Sequence, residues 1–124
     1  MMGEPSILLV EDEAIIALDL RRKLQSAGYR VIGTAATGED AAALAERGHP
    51  DVVLMDNHLA GPIDGIEAAL RIRAHSDVPI IFMTGYLQDD AFRERVRPVR
   101  PVACLDKPIV LEELLKAIAA ACRL

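Results

Sequence analysis

Four short apolar runs in this 124-residue chain each lead straight into residues able to do chemistry. Ile7-Leu8-Leu9-Val10 is followed by Glu11-Asp12-Glu13, and Val52-Val53-Leu54-Met55 by Asp56-Asn57-His58. Ile80-Ile81-Phe82-Met83 is followed by Thr84-Gly85-Tyr86, and Val102-Ala103-Cys104-Leu105 by Asp106-Lys107-Pro108. If the runs are neighbouring strands, one sheet edge collects several carboxylates, a hydroxyl and an ammonium.

Nucleotide folds that cradle a phosphate on backbone N–H groups place glycines or hydroxyls after the first strand. Here that position holds acids, which would repel a bare phosphate. Glu11, Asp12 and Asp56 together could not all stay ionised without a counter-charge. A hard divalent cation supplies one, and Mg²⁺ suits a site of few carboxylates, retained waters and a phosphoryl oxygen. Asp56, at the end of a buried run, can then act as a nucleophile towards phosphorus and form an aspartyl phosphate. Thr84 could donate a hydrogen bond to one phosphoryl oxygen and Lys107 could pair with another, so that charge neutralisation is shared with the cation. Taken singly, the acidic turn could serve a helix dipole, Thr84 a turn and Lys107 the surface; the combination points to the site. The Lys107–Pro108 bond is a candidate cis peptide, because X-Pro is where the cis form is accessible.

The elements that must position these groups can be read from periodicity. The apolar runs, with a weaker fifth at Val31-Ile32, are mostly continuous rather than alternating, as expected of strands buried on both faces. Between them, Ala17, Leu20, Leu24 and Ala27 keep helical spacing up to a stop at Gly28, and Ala41, Leu44 and Ala45 do so up to Gly48 and Pro50. Ile66, Ala69 and Leu70 form a third stripe, and Asp89 to Val96 a short fourth helix stopped by Pro98. Leu111, Leu114, Leu115, Ile118, Ala119 and Cys122 mark one face of a fifth. Five strands alternating with five helices predict an α/β fold with an open, doubly wound parallel sheet and helices on both faces, in one domain spanning residues 1–124. The arginine-rich, proline-broken stretch Arg93 to Pro101 reads as a solvated loop, with a contact surface for an acidic partner as the alternative.

Composition narrows the partners. The net charge of −5 argues against a nucleic-acid or anionic-membrane surface as the main task. The apolar runs fall well short of the roughly 18–20 residues of a membrane span. The segment Met1-Met2-Gly3-Glu4-Pro5 shows no secretory signal. Cys104 and Cys122 form neither a disulfide framework nor a metal-ligand spacing, so a reducing, cytoplasmic setting is expected.

The ordered set Leu9-Val10-Glu11-Asp12-Glu13, Asp56, Asp64-Gly65, Thr84 and Lys107-Pro108 resembles the receiver domain of two-component response regulators over essentially the whole chain. The resemblance implies a (βα)5 flavodoxin-like fold with strand order 2-1-3-4-5 and phosphorylation of Asp56 by a sensor histidine kinase or phosphotransfer protein. It implies Mg²⁺ held by Glu11, Asp12, Asp56 and the backbone carbonyl of His58, with Thr84 and Lys107 contacting the phosphoryl group. It further implies a switching surface, built from the last two strands and helices, that meets a downstream protein and could also support a homodimer.

Three features depart from the common receiver pattern. The loop Leu59-Ala60-Gly61-Pro62-Ile63-Asp64-Gly65 looks one residue longer. Cys104 stands three residues before the lysine, where an aromatic switch residue is common. Phe82-Met83-Thr84-Gly85-Tyr86 resembles a Phe-x-Thr-Gly-Tyr subgroup made largely of single-domain regulators, so Tyr86 is expected to take over part of the switching. Two other functions fit parts of the pattern: a phosphorylation-independent interaction module, and an aspartate-nucleophile phosphohydrolase. The first need not keep the full acidic, Thr and Lys set. The second usually has a further acid two residues after its nucleophile, where this chain has His58.

Overall fold

A computed structural model describes residues 4–123; Met1 to Gly3, on which the reading of the N-terminus rested, and Leu124 lie outside it. The strands are β1 (Ser6–Val10), β2 (Arg30–Ala35), β3 (Val52–Asp56), β4 (Ile80–Thr84) and β5 (Ala103–Asp106). All pair in parallel, in the order β2-β1-β3-β4-β5. The three central strands are buried at every position, which accounts for their unbroken apolar runs.

The helices are α1 (Ala14–Ser26), α2 (Gly38–Gly48), α3 (Gly65–Arg73), α4 (Asp90–Val96) and α5 (Leu111–Ala121). Side chains alternate across the sheet, so each strand feeds two cores. Ile7, Leu9, Leu54, Ile81 and Met83 pack with Leu24 of α1 and Leu114 and Ile118 of α5. Leu8, Val10, Val53, Met55 and Phe82 pack with Ala41 of α2, Ile66, Ala69 and Ile72 of α3 and Phe92 of α4. Phe82 and Phe92 meet edge to face at 6.0 Å, which fixes α4 on β4. The result is the flavodoxin-like (βα)5 arrangement.

The starts of α2, α3 and α4 carry the side-chain caps that orphan N–H groups call for. Thr37 Oγ1 accepts from Asp40 N–H and Asp64 Oδ1 from Glu67 N–H. Asp89 Oδ1 accepts from Ala91 N–H. Gly28, at φ +95°, turns the chain after α1 as expected. At the end of α2 the left-handed residue is His49 (φ 46°) rather than Gly48.

The arginine-rich stretch is solvated, as expected, but it is not a loop throughout. It is the second half of α4, then a 3₁₀ turn over Arg97–Val99. Its arginines turn back on the chain: Arg93 donates to the Leu87 carbonyl, Arg97 pairs with Glu94 at 3.2 Å, and Arg95 pairs with Asp64 at 2.9 Å.

Val10, Asp56, Thr84 and Asp106 are the last residues of their strands. In a parallel sheet those ends lie on one edge, and β1 and β3 are where the chain direction of the winding reverses.

Candidate functional site

Asp56 closes β3 with 2% of its surface exposed. Lys107 Nζ donates to its Oδ2 at 2.8 Å, and His58 N–H donates to its Oδ1 at 3.1 Å. Lys107 comes into reach because its own N–H donates to the Thr84 carbonyl, extending the β4–β5 ladder by one residue. The Lys107–Pro108 peptide is cis, as the sequence allowed.

Glu11 follows β1, and its N–H donates to the Ala35 carbonyl on β2. Its carboxylate accepts from Glu13 N–H at 3.1 Å, covering a donor at the start of α1 that has no cap of its own. Carboxylate oxygens of Glu11, Asp12 and Asp56 lie within 4.8 Å of one another. Glu11 and Asp56 are buried, and Asp12 is the most accessible of the three. Burial, reinforced by the neighbouring Asp56, pushes Glu11 up to about 7, against the opposing pull of the Glu13 N–H and Lys107.

That shift tests the site's fit to a cation. Three carboxylates share one ammonium, and one of them cannot ionise readily in their company. An all-oxygen cluster short of positive charge matches the preference of Mg²⁺, so these acids could hold such an ion.

Thr84 is buried, and its Oγ1 accepts from Tyr86 N–H at 2.9 Å, which leaves the hydroxyl hydrogen free to donate elsewhere. Tyr86 is 58% exposed on the rim. Cys104 lies opposite Phe82 in the β4–β5 register and packs, half-buried, against the core under α2, α3 and α4. Burial raises its thiol, so it behaves as a small apolar residue. The His58 side chain faces solvent.

Two features gain a physical explanation only from the structure. A Cβ at Gly65 would fall 2.3 Å from the Asp56 carbonyl oxygen, so α3 can start this close to the acceptor only with glycine there. Gly65 N–H donates to the Asn57 carbonyl and Ile66 N–H to Asn57 Oδ1, which ties the residue after Asp56 to the helix start. The loop after Asp56 is held from the side. Ala60 N–H donates to the Ala36 carbonyl, and Thr37 and Ala60 form a bridge, so the loop leans on the start of α2.

Sequence reasoning passed over Asn57 and Arg95. Asn57 stands beside Asp56 as an ordinary polar residue, and the partner of Arg95 is distant in sequence. A cavity of about 880 Å³, bordered by His49 and His75, lies at the opposite, amino ends of β3 and β4. A smaller one of about 250 Å³ opens beside Lys107, between Ile16 and Leu20 of α1 and Ile109 and Leu111.

Among proteins of known sequence, the transcriptional regulatory protein PdtaR of Mycobacterium tuberculosis is 39% identical over 115 residues, which cover 93% of this chain and 55% of PdtaR. The chain thus spans about half the length of that relative. The signal receiver domain of a modulated diguanylate cyclase from Desulfovibrio desulfuricans superposes with a TM-score of 0.88 at 38% identity, over 98% of this chain and 95% of that one. The response regulator domain of Thermotoga maritima CheB superposes at 0.87 with 26% identity, over 98% of both chains. No helix among the described residues is long and apolar enough to cross a membrane. Residues 7–119 match the response regulator receiver domain, and the chain belongs to that family.

Proposed function

We propose that the chain accepts a phosphoryl group on Asp56 from a phosphohistidine of a sensor histidine kinase or phosphotransfer protein, and that the modified domain presents a changed surface to a downstream protein. The reading is carried by one observation: a buried aspartate at a strand end, paired with Lys107 at 2.8 Å, with Glu11 and Asp12 alongside.

In the transfer, an Asp56 carboxylate oxygen forms a bond to phosphorus as the phosphorus–nitrogen bond to the imidazole breaks. The freed nitrogen keeps the bonding pair. Glu11, Asp12 and Asp56, with the His58 carbonyl, would hold Mg²⁺, which when bound neutralises charge on the phosphoryl oxygens. Lys107 would shift from the Asp56 carboxylate to a phosphoryl oxygen, and the Thr84 hydroxyl would donate to another. The Thr84 hydroxyl can donate while its oxygen keeps the Tyr86 N–H, so a shift of Thr84 towards the phosphoryl group would carry Tyr86 and the turn before α4 with it. Only such a difference between states can bias partner binding. Cys104 offers no aromatic ring to follow Thr84 inward, which leaves that part to Tyr86. Switching then falls on the surface around β4, β5 and the helices after them, where self-association is also expected. The same site would hydrolyse the acyl phosphate as part of the switch. The chain acts as one receiver domain.

The test is incubation with acetyl phosphate and Mg²⁺, read by intact mass. Wild-type protein should gain one phosphoryl group, only with Mg²⁺, and Asp56→Asn should gain none. A wild-type chain that stays unmodified under those conditions would overturn the proposal.

A further inference from the structure

Arg95 lies on α4, away from the carboxylate cluster, yet its guanidinium meets Asp64 Oδ2 at 2.9 Å. Asp64 is the cap of α3: its other oxygen, Oδ1, accepts from Glu67 N–H at 2.9 Å. The two bonds use different oxygens, so they coexist. The next residue is Gly65, whose Cα sits against the Asp56 carbonyl with no room for a side chain. Gly65 N–H holds the Asn57 carbonyl at 2.9 Å, and Ile66 N–H holds Asn57 Oδ1 at 3.2 Å. A short run of contacts therefore joins a side chain of α4 to the backbone of the acceptor. At its other side the same loop rests on the segment leading into α2, where Ala60 N–H donates to the Ala36 carbonyl. Among the described residues, the contact with Arg95 is the one surface ion pair between this loop and another element.

We infer that Arg95 is a positioning residue: its ion pair with Asp64 couples α4 to the loop that sets the orientation of Asp56. This rests on reading Asp56 as the phosphoacceptor. The position of α4 and the phosphorylation state of Asp56 then bias each other through the pair, because the coupling free energy between two sites is reciprocal. Both side chains are partly exposed, 52% and 33%, so the effect is modest and screened by salt.

Five proteins test this: wild type, Arg95→Ala, Arg95→Lys, Asp64→Asn and the double variant of Arg95→Ala with Asp64→Asn. Asparagine caps a helix as well as aspartate does, so Asp64→Asn removes the charge and keeps the start of α3. Each single variant should slow modification of Asp56 by acetyl phosphate about two- to fivefold, the size of an exposed pair. The double variant should be no slower than either single one, since both remove the same interaction. Arg95→Lys should recover part of the rate, and the amide resonances of His58 and Gly65 should move in Arg95→Ala and return towards wild type in Arg95→Lys. Single variants with wild-type rates and unmoved His58 and Gly65 amides would overturn the inference, as would effects that add in the double variant. An unmodified wild type would overturn the phosphoacceptor reading instead, and the amide shifts would still report on the coupling.

Discussion

Lys107 Nζ and Asp56 Oδ2 stand 2.8 Å apart, although 51 positions separate the two residues in the chain. The aspartate is almost wholly enclosed, whereas the lysine side chain is about one-third exposed. The lysine therefore has somewhere to go and the aspartate does not. That asymmetry suits a group that must yield Asp56 to a phosphoryl group and then follow it.

Replacing Lys107 by alanine leaves a buried carboxylate without its partner. Metal-free Lys107→Ala should lose about 1–3 kcal/mol of stability, less than for a fully buried pair because the lysine is partly solvated. It should still bind Mg²⁺, since the carboxylates remain and a competing positive charge is gone. Modification should occur, but amide shifts around Thr84 and Tyr86 on modification should shrink. A full wild-type shift pattern in Lys107→Ala would show that the lysine has no part in switching.

Glu11 makes metal-free stability depend on pH. Its folded value is about 7 against an ordinary 4.5, so between those values the folded state holds a proton that the unfolded chain has released. Stability should therefore fall as pH rises through that window and level off above it, by an amount on the order of 3 kcal/mol at most. Glu11→Gln, which keeps an acceptor for Glu13 N–H, should flatten the slope. Mg²⁺ binding should release a proton within the same window, so affinity should climb with pH towards 7. Denaturant melts and calorimetric titrations across the window check both; a pH-independent Mg²⁺ affinity would place Glu11 outside the metal site.

Gly65→Ala sets a methyl group against the Asp56 carbonyl. The backbone on one side must shift, at a cost of about 1–3 kcal/mol. Because the displaced atom belongs to the acceptor, modification should slow roughly ten- to a hundredfold even where the protein stays folded. A folded Gly65→Ala that reacts at the wild-type rate would mean that the close approach is incidental to the site.

His49 ends α2 in the left-handed region, where a side chain is disfavoured. It is exposed and makes few contacts to lose. His49→Gly should therefore stabilise the chain by about 0.5–1 kcal/mol, with modification of Asp56 unchanged. Unfolding midpoints check the first part and acetyl phosphate kinetics the second.

Much of the site was legible because Glu11, Asp56 and Thr84 directly follow apolar runs, and a parallel sheet turns that local signal into a common edge. The helix stripes were equally local. β2 was harder to read. It lies at the sheet edge, and its pairing with β1 jumps from Val31 to Gly33, leaving Ile32 without a partner and breaking the apolar pattern. The parallel order 2-1-3-4-5 came from resemblance, since periodicity cannot say which strands are neighbours. The arginines of α4 misled because composition shows their charge and not their partners. Arg95 and Asn57 matter through contacts made only once α3, α4 and the acceptor loop are in place.

His58 has a backbone role and a side-chain role that can be separated. Its N–H donates to Asp56 Oδ1, while the imidazole faces solvent. Alanine keeps the N–H and the carbonyl, so His58→Ala should accept a phosphoryl group with unchanged Mg²⁺ dependence. What changes is the ring beside the path of a water attacking the acyl phosphate. Neutral imidazole can orient that water or take its proton, so the phosphorylated form of His58→Ala should persist longer than wild type, by a few-fold to about a hundredfold. Decay of the modified protein after removal of acetyl phosphate, followed by intact mass, measures that lifetime. An unaltered lifetime in His58→Ala would leave hydrolysis to Lys107, Thr84 and the metal site alone.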